Sequence, residues 1–190
     1  MKILIPFATF AICAHSLFAS APSPVLCEKG DLIFSADFSD GTIPKEWVPG
    51  HGTQWGVKEG VLVGNPSSEE YREKRRKAGK AKHLGGTPSS SIMLPIKDAI
   101  IQLSFKVSGK MSAAHFGTND GSAKTGTGHV MRLVASTKHG LELIKDDSSK
   151  IPDDEDEVLD KADFKIKPDT WYTVLLEFKG GDCVAQLSGA

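Results

Sequence analysis

The stretch TQWGVKEGVLVG, Thr53 to Gly64, sets the pattern that most constrains this chain. Trp55 and Val57 recur at a spacing of two, as do Val61 and Val63. Lys58-Glu59-Gly60 between the two runs supplies a tight turn with a residue that tolerates positive φ. Residues two apart share one face of a strand, so the stretch reads as a β-hairpin with Trp55 turned toward a core. The same alternation returns in DLIFSADF (31–38), SIMLP (91–95), AIIQLSFKVS (99–108), SAAHFGT (112–118), HVMRLVAS (129–136), GLELIKD (140–146), DFKIK (163–167), WYTVLLEFK (171–179) and DCVAQLS (182–188). Short strands broken at this interval predict an all-β antiparallel β-sandwich and exclude a parallel α/β sheet, which would need long helical crossovers between strands.

One segment departs from that pattern. Ser67-Ser68-Glu69-Glu70 offers an N-cap followed by acids, and the polar run to Lys77 holds good helix formers before Gly79, which predicts one short exposed helix. Its surroundings are basic, with seven Lys and Arg between Tyr71 and His83, a solvated face or a site for anionic polysaccharide. Asp146 to Asp163 holds nine acids against Lys150 and Lys161. The acidic run IPDDEDEVLD reads as a loop. It lacks the glycine and the alternating ligands of an EF-hand, so no cofactor is expected and calcium is the one cation it could take.

Residues 1–20 begin Met-Lys, continue in the apolar run ILIPFATFAICAHSLFA, and reach small residues near positions 19–21, the pattern of a signal peptide. Export to a secreted or periplasmic location is therefore expected, with no membrane insertion and a single domain over 28–190. The chain carries 23 basic and 24 acidic residues, a net charge of −1, so bulk charge points to no nucleic acid. Cys13 leaves with the signal. Cys27 and Cys183 are then a disulfide candidate that would close most of the chain into one loop, with about 5 kcal/mol as an upper figure; the alternative is two buried, inert thiols.

Asp37-Phe38 followed by Trp47, then Trp55-x-Val57-x-x-Gly60-x-Leu62, then Trp171-Tyr172-x-Val174 running into Gly181-Asp182, resembles the concanavalin A-like lectin and glucanase sandwiches. More narrowly, the chain is similar to the bacterial exported 3-keto-disaccharide hydrolase domain family over residues 30–188. The resemblance implies a jelly-roll sandwich and, as an activity, hydrolysis of 3-keto-glycosides. Where that family carries a Gly-Tyr-x-x-Gln-like strand, this chain reads Gly128-His129-Val130-Met131-Arg132-Leu133. Where relatives continue into closing strands, it ends Leu187-Ser188-Gly189-Ala190, so the resemblance implies that the last strands are missing.

Sandwich glycosidases of the retaining or inverting kind need two carboxylates on one strand face, as Glu-x-Asp-x-Glu would provide. That pattern is absent: Glu155-Asp156-Glu157 are adjacent, and Glu142 has no acid two residues away. No Gly-x-Ser-x-Gly elbow, His-Glu-x-x-His pair or phosphate loop occurs either. The candidate ligand residues are therefore polar and aromatic groups beside strands. His83 precedes Leu84-Gly85-Gly86, and His129 opens a strand with Arg132 three residues on, both next to glycine-rich loops that could shape a pocket. Trp47, between Pro44 and Pro49 in an expected loop, is the tryptophan most suited to stacking on a sugar, whereas Trp55 and Trp171 occupy expected core positions. These features point to an exported, noncatalytic carbohydrate-recognition or surface-interaction sandwich, with a hydrolase of 3-keto-glycosides as the alternative.

Overall fold

A computed structural model describes residues 21–80, 82–94, 96–119, 129–147, 153 and 155–189. It is 43 % strand with one helix, and its sheets are all antiparallel, consistent with an all-β sandwich. Where the sequence suggests one domain, contacts group the chain into two compact units: residues 30–96, and residues 97–189 together with the segment that ends at Lys29.

The second of these units is the sandwich. Strands β5 (Ala99–Phe105), β10 (Tyr172–Lys179) and β11 (Asp182–Gly189) form one sheet in the order β11-β10-β5. Strands β6 (Ala113–Asn119), β7 (His129–Ser136), β8 (Gly140–Lys145) and β9 (Glu157–Ala162) form the other as a meander. Every second residue faces inward. Leu133 of β7 packs with Val174 and Leu176 of β10, flanked by Leu103, Phe105, Phe116 and Leu141. A second cluster joins Val107, Ala135, Ile166 and Tyr172. All the fully buried apolar side chains among the described residues belong to this unit. The β10–β11 register runs from Tyr172 opposite Gly189 to Lys179 opposite Asp182, across a two-residue Gly180-Gly181 turn.

Residues 30–96 fold as two ribbons and a helix. β2 (Gln54–Lys58) and β3 (Val61–Asn65) form the expected hairpin, with Trp55 opposite Gly64. Glu59 (φ 53°) and Gly60 (φ 72°) both take left-handed conformations, the turn geometry that matches strand twist. Gly64 is required by packing, because a Cβ there would collide with the Trp55 ring and Pro88. β1 (Trp47–Pro49) pairs with β4 (Ser90–Ile92). Helix α1 (Glu69–Lys77) begins as expected, with the Ser68 hydroxyl accepting the Tyr71 N–H. Glu69 pairs with Arg72 and Arg76, and Glu73 with Lys77.

Three expectations change. DLIFSADF forms no strand: among the described residues it has no ladder partner, and Leu32 is 83 % exposed, so alternation without a neighbour to receive the backbone bonds did not suffice. DFKIK is also irregular, because Ile166 is buried in the core and the segment makes one ladder-like bond, from Ile166 N–H to Ser136 O. The end of the acidic run is strand rather than loop: Glu157–Ala162 pairs with β8 as an exposed edge, and Lys161 meets Glu142 at 2.8 Å.

Candidate functional site

In the three-stranded sheet the core takes Val174, Leu176 and Phe178 of β10 and Ile101, Leu103 and Phe105 of β5. The residues between them must point to the opposite face. On β5 these are Gln102 and Ser104, followed just past the strand by Lys106, all exposed; on β10 they are Thr173, Leu175 and Glu177, preceded by Trp171. The register sets Thr173 opposite both Ser104 and Ser188, and Leu175 opposite both Gln102 and Gln186. This face carries hydroxyl and amide groups in rows, open along the β5 side at Gln102 and Ser104 and covered at its centre, where Leu175 is 1 % exposed; the Ser104 and Thr173 hydroxyls share a hydrogen bond of 3.0 Å.

Trp171 stands at one end of this face. It is 44 % exposed, and the Lys106 ammonium lies 5.4 Å from its ring centroid. Continuing the β5–β10 register one step beyond Phe105 and Tyr172 brings those two residues together, so the contact follows from strand pairing. Such a cation–ring contact contributes about 0.5–1 kcal/mol at an exposed site, a bias of a few-fold toward this indole orientation. A half-exposed indole beside hydrogen-bonding groups can stack on an apolar sugar face while amides and hydroxyls bond its rim.

The far end of the same face is closed. Glu177 is fully buried, and its carboxylate accepts N–H bonds from Val25 (2.9 and 3.1 Å), Leu26 (2.9 Å) and Cys27 (2.8 Å). Gln186 donates to Ser23 O at 2.8 Å and to Glu177 at 3.4 Å. Burial alone would raise the Glu177 pKa, but the donors from Val25, Cys27, Leu26 and Gln186 outweigh it and hold the carboxyl below its ordinary value.

The residues singled out from sequence belong to other elements. Trp47 opens β1 and packs between Phe38 (5.7 Å) and Trp55 (6.0 Å) instead of standing in a loop, while Trp171, expected in the core, faces solvent. His83 is exposed at φ 55° and stacks on His51 with centroids 4.7 Å apart. His129 opens β7 in the other unit, opposite Asn119, and its side chain lies outside the described residues, as does the whole glycine-rich loop 121–128 before it.

Arg132 projects from β7 to bridge Asp146 and Asp156, the latter at 2.5 Å. The Asp147 N–H and then Arg132 hold the Asp156 carboxyl below its ordinary range. Arg132 therefore ties the β8 end to the acidic segment, and its donors are engaged by protein carboxylates. Among the described residues, no three His, Cys, Asp or Glu side chains converge to hold a metal ion; positions 148–152 and 154 of the acidic stretch fall outside them.

Cys27 and Cys183 are unbonded thiols. The Cys27 thiol donates to Phe178 O, and its N–H meets Glu177 on the outer face. Cys183 pairs with Phe178 and so points to the inner face; burial and then the Glu177 charge push its thiol up to about 11.

Sequence reasoning missed the outer face because WYTVLLEFK carries apolar residues in both phases: Leu175 is as buried as Leu176. The usable signal was in β5 and the residue after it, where Gln102, Ser104 and Lys106 alternate cleanly with Ile101, Leu103 and Phe105. No protein-family model, curated protein or solved structure matches the chain, which leaves the motif resemblance to the keto-glycoside hydrolase domains resting on its residues alone.

Proposed function

We propose that this chain is an exported, noncatalytic recognition domain that binds carbohydrate on the outer face of the β11-β10-β5 sheet. The observation that carries this reading is Trp171, half exposed and braced by Lys106 at the end of a face lined by Gln102, Ser104 and Thr173. Sugars combine apolar C–H faces with hydroxyl rims, and an indole beside amides and hydroxyls complements both. Lys106 adds a preference for acidic sugars, because its ammonium stands where a carboxylate or sulfate could reach it.

The test is a glycan-array screen of the full chain at low and high salt, run beside a hydrolysis assay on 3-keto-glucosides. Saturable binding that Trp171→Ala weakens at least tenfold, with no turnover, supports the reading. The loss from Lys106→Ala should shrink as salt rises, since screening removes charge attraction and leaves stacking. Turnover of the keto-glucosides, or binding indifferent to Trp171→Ala, overturns it.

A further inference from the structure

Residues 23–27 cross the outer face of the same sheet, and their attachment is chemically one-sided. Three consecutive backbone N–H groups, from Val25, Leu26 and Cys27, converge on the two oxygens of Glu177, and the Gln186 amide adds a fourth donor. Every one of these partners donates, so the carboxylate must act as acceptor at both oxygens. Protonation would turn one oxygen into an O–H donor facing other donors, in a position sealed from water. The remaining anchors are Gln186 to Ser23 O, the Cys27 thiol to Phe178 O at 3.3 Å, and the half-buried side chains of Pro24, Leu26 and Cys27, while Val25 is 72 % exposed.

We propose that residues 23–27 form a detachable strap over the far half of the proposed carbohydrate face. The charge on Glu177 holds it there, and protonating that carboxylate lifts the strap and lengthens the open face while the sandwich stays folded. The strap's relevance to sugar binding rests on the function proposed above; its detachment does not.

On β10 itself the charged neighbour along the outer face is the exposed Lys179, two residues on from Glu177 and opposite Asp182. From the strap, the titratable neighbour is the Cys27 thiol; from β11 it is Cys183, whose thiol stays protonated well above neutrality; the β5 and β11 residues opposite Glu177, Ile100 and Val184, are apolar. No ion pair among the described residues involves Glu177. The lowered pKa of the docked carboxyl means that release comes as pH falls below the ordinary glutamate value of 4.5, and docking is complete above it. Release would free Gln186 from Ser23 and uncover Glu177, adding an amide and a carboxyl to the row that begins at Trp171.

Hydrogen exchange of the full chain, corrected for intrinsic rates, tests this at pH 7 and near pH 3. The amides of Val25, Leu26 and Cys27 should lose about tenfold or more of their protection at the lower pH, while those of β10 keep theirs. In Glu177→Gln the same three amides should be unprotected at both pH values. Strap protection unchanged by acid, or lost only in step with β10, overturns the proposal, and the unmodified chain decides this even if Glu177→Gln does not fold. Glycan binding is read separately on the same samples: a strap that detaches without any glycan bound at either pH upholds the strap and sinks the carbohydrate reading.

Discussion

Glu177 shows how much one side chain can decide. Its neighbours in sequence, Leu176 and Phe178, belong to the core, and alternation alone sends it to the outer face. There it is buried, and the only way to keep a buried carboxylate is to satisfy it, which the Val25–Cys27 amides do. Glu177→Gln should therefore cost roughly 2–3 kcal/mol, because it replaces an acceptor oxygen with a donor and removes charge-assisted bonds; chemical denaturation at pH 7 measures it. The pH dependence has a definite sign. A carboxyl held below its ordinary pKa adds stability that is present in full above about 4.5 and lost as pH falls through the lowered value, so the acid limb should flatten in Glu177→Gln. The cysteines divide likewise. With Cys183 pushed up to about 11, its thiolate is scarce at pH 8, and iodoacetamide should alkylate the Cys183-only variant (Cys27→Ser) far more slowly than the Cys27-only variant (Cys183→Ser). Equal rates would show that the half-buried setting of Cys183 does not suppress its thiolate.

At the scale of elements, the hairpin of β2 and β3 was legible because pattern and turn agree. Glu59 sits at φ 53°, where asparagine is at ease and glutamate is not. Glu59→Asn should stabilise the hairpin by about 0.5 kcal/mol, visible as a higher thermal midpoint; a fall would mean the Glu59 side chain makes contacts that matter more than its backbone. The helix was legible for the same kind of reason, since Ser68 before two acids is a local signal and α1 begins there. DLIFSADF has equally good alternation and is no strand. Strand formation needs a partner, and which partner is available is not written in the eight residues themselves. β9 shows the converse: its acidic start hides a strand because β8 offers an edge to pair with, and an edge strand tolerates charges on both faces.

Among the described residues the fully buried apolar side chains all lie in the sandwich unit, whose stability rests on its inter-sheet core. Leu176→Ala, 2 % exposed between the sheets, should lower stability by about 2–5 kcal/mol, whereas Leu32→Ala, at 83 % exposure, should change it by less than about 0.5 kcal/mol. Denaturant midpoints of the two variants decide this, and equal losses would move the core out of the β5–β10–β7 packing. The candidate site was less legible than the fold. His83 and His129 were paired from sequence through their glycine-rich neighbours, yet one stacks on His51 in residues 30–96 and the other opens β7 in the sandwich unit. Trp47 and Trp171 exchanged their expected settings, because an indole suits a core as well as a surface and only its neighbours choose. What the sequence determined by itself was local: the period-two strands, the tight turn at Glu59-Gly60, and the cap at Ser68, each set by contacts within a few residues. Only the tertiary structure decided which strands found partners, which face of WYTVLLEFK met the core, and that Glu177 would hold amides some 150 positions away. Those outcomes depend on pairing and burial between segments remote in the chain, and no local pattern encodes the neighbour that will be there.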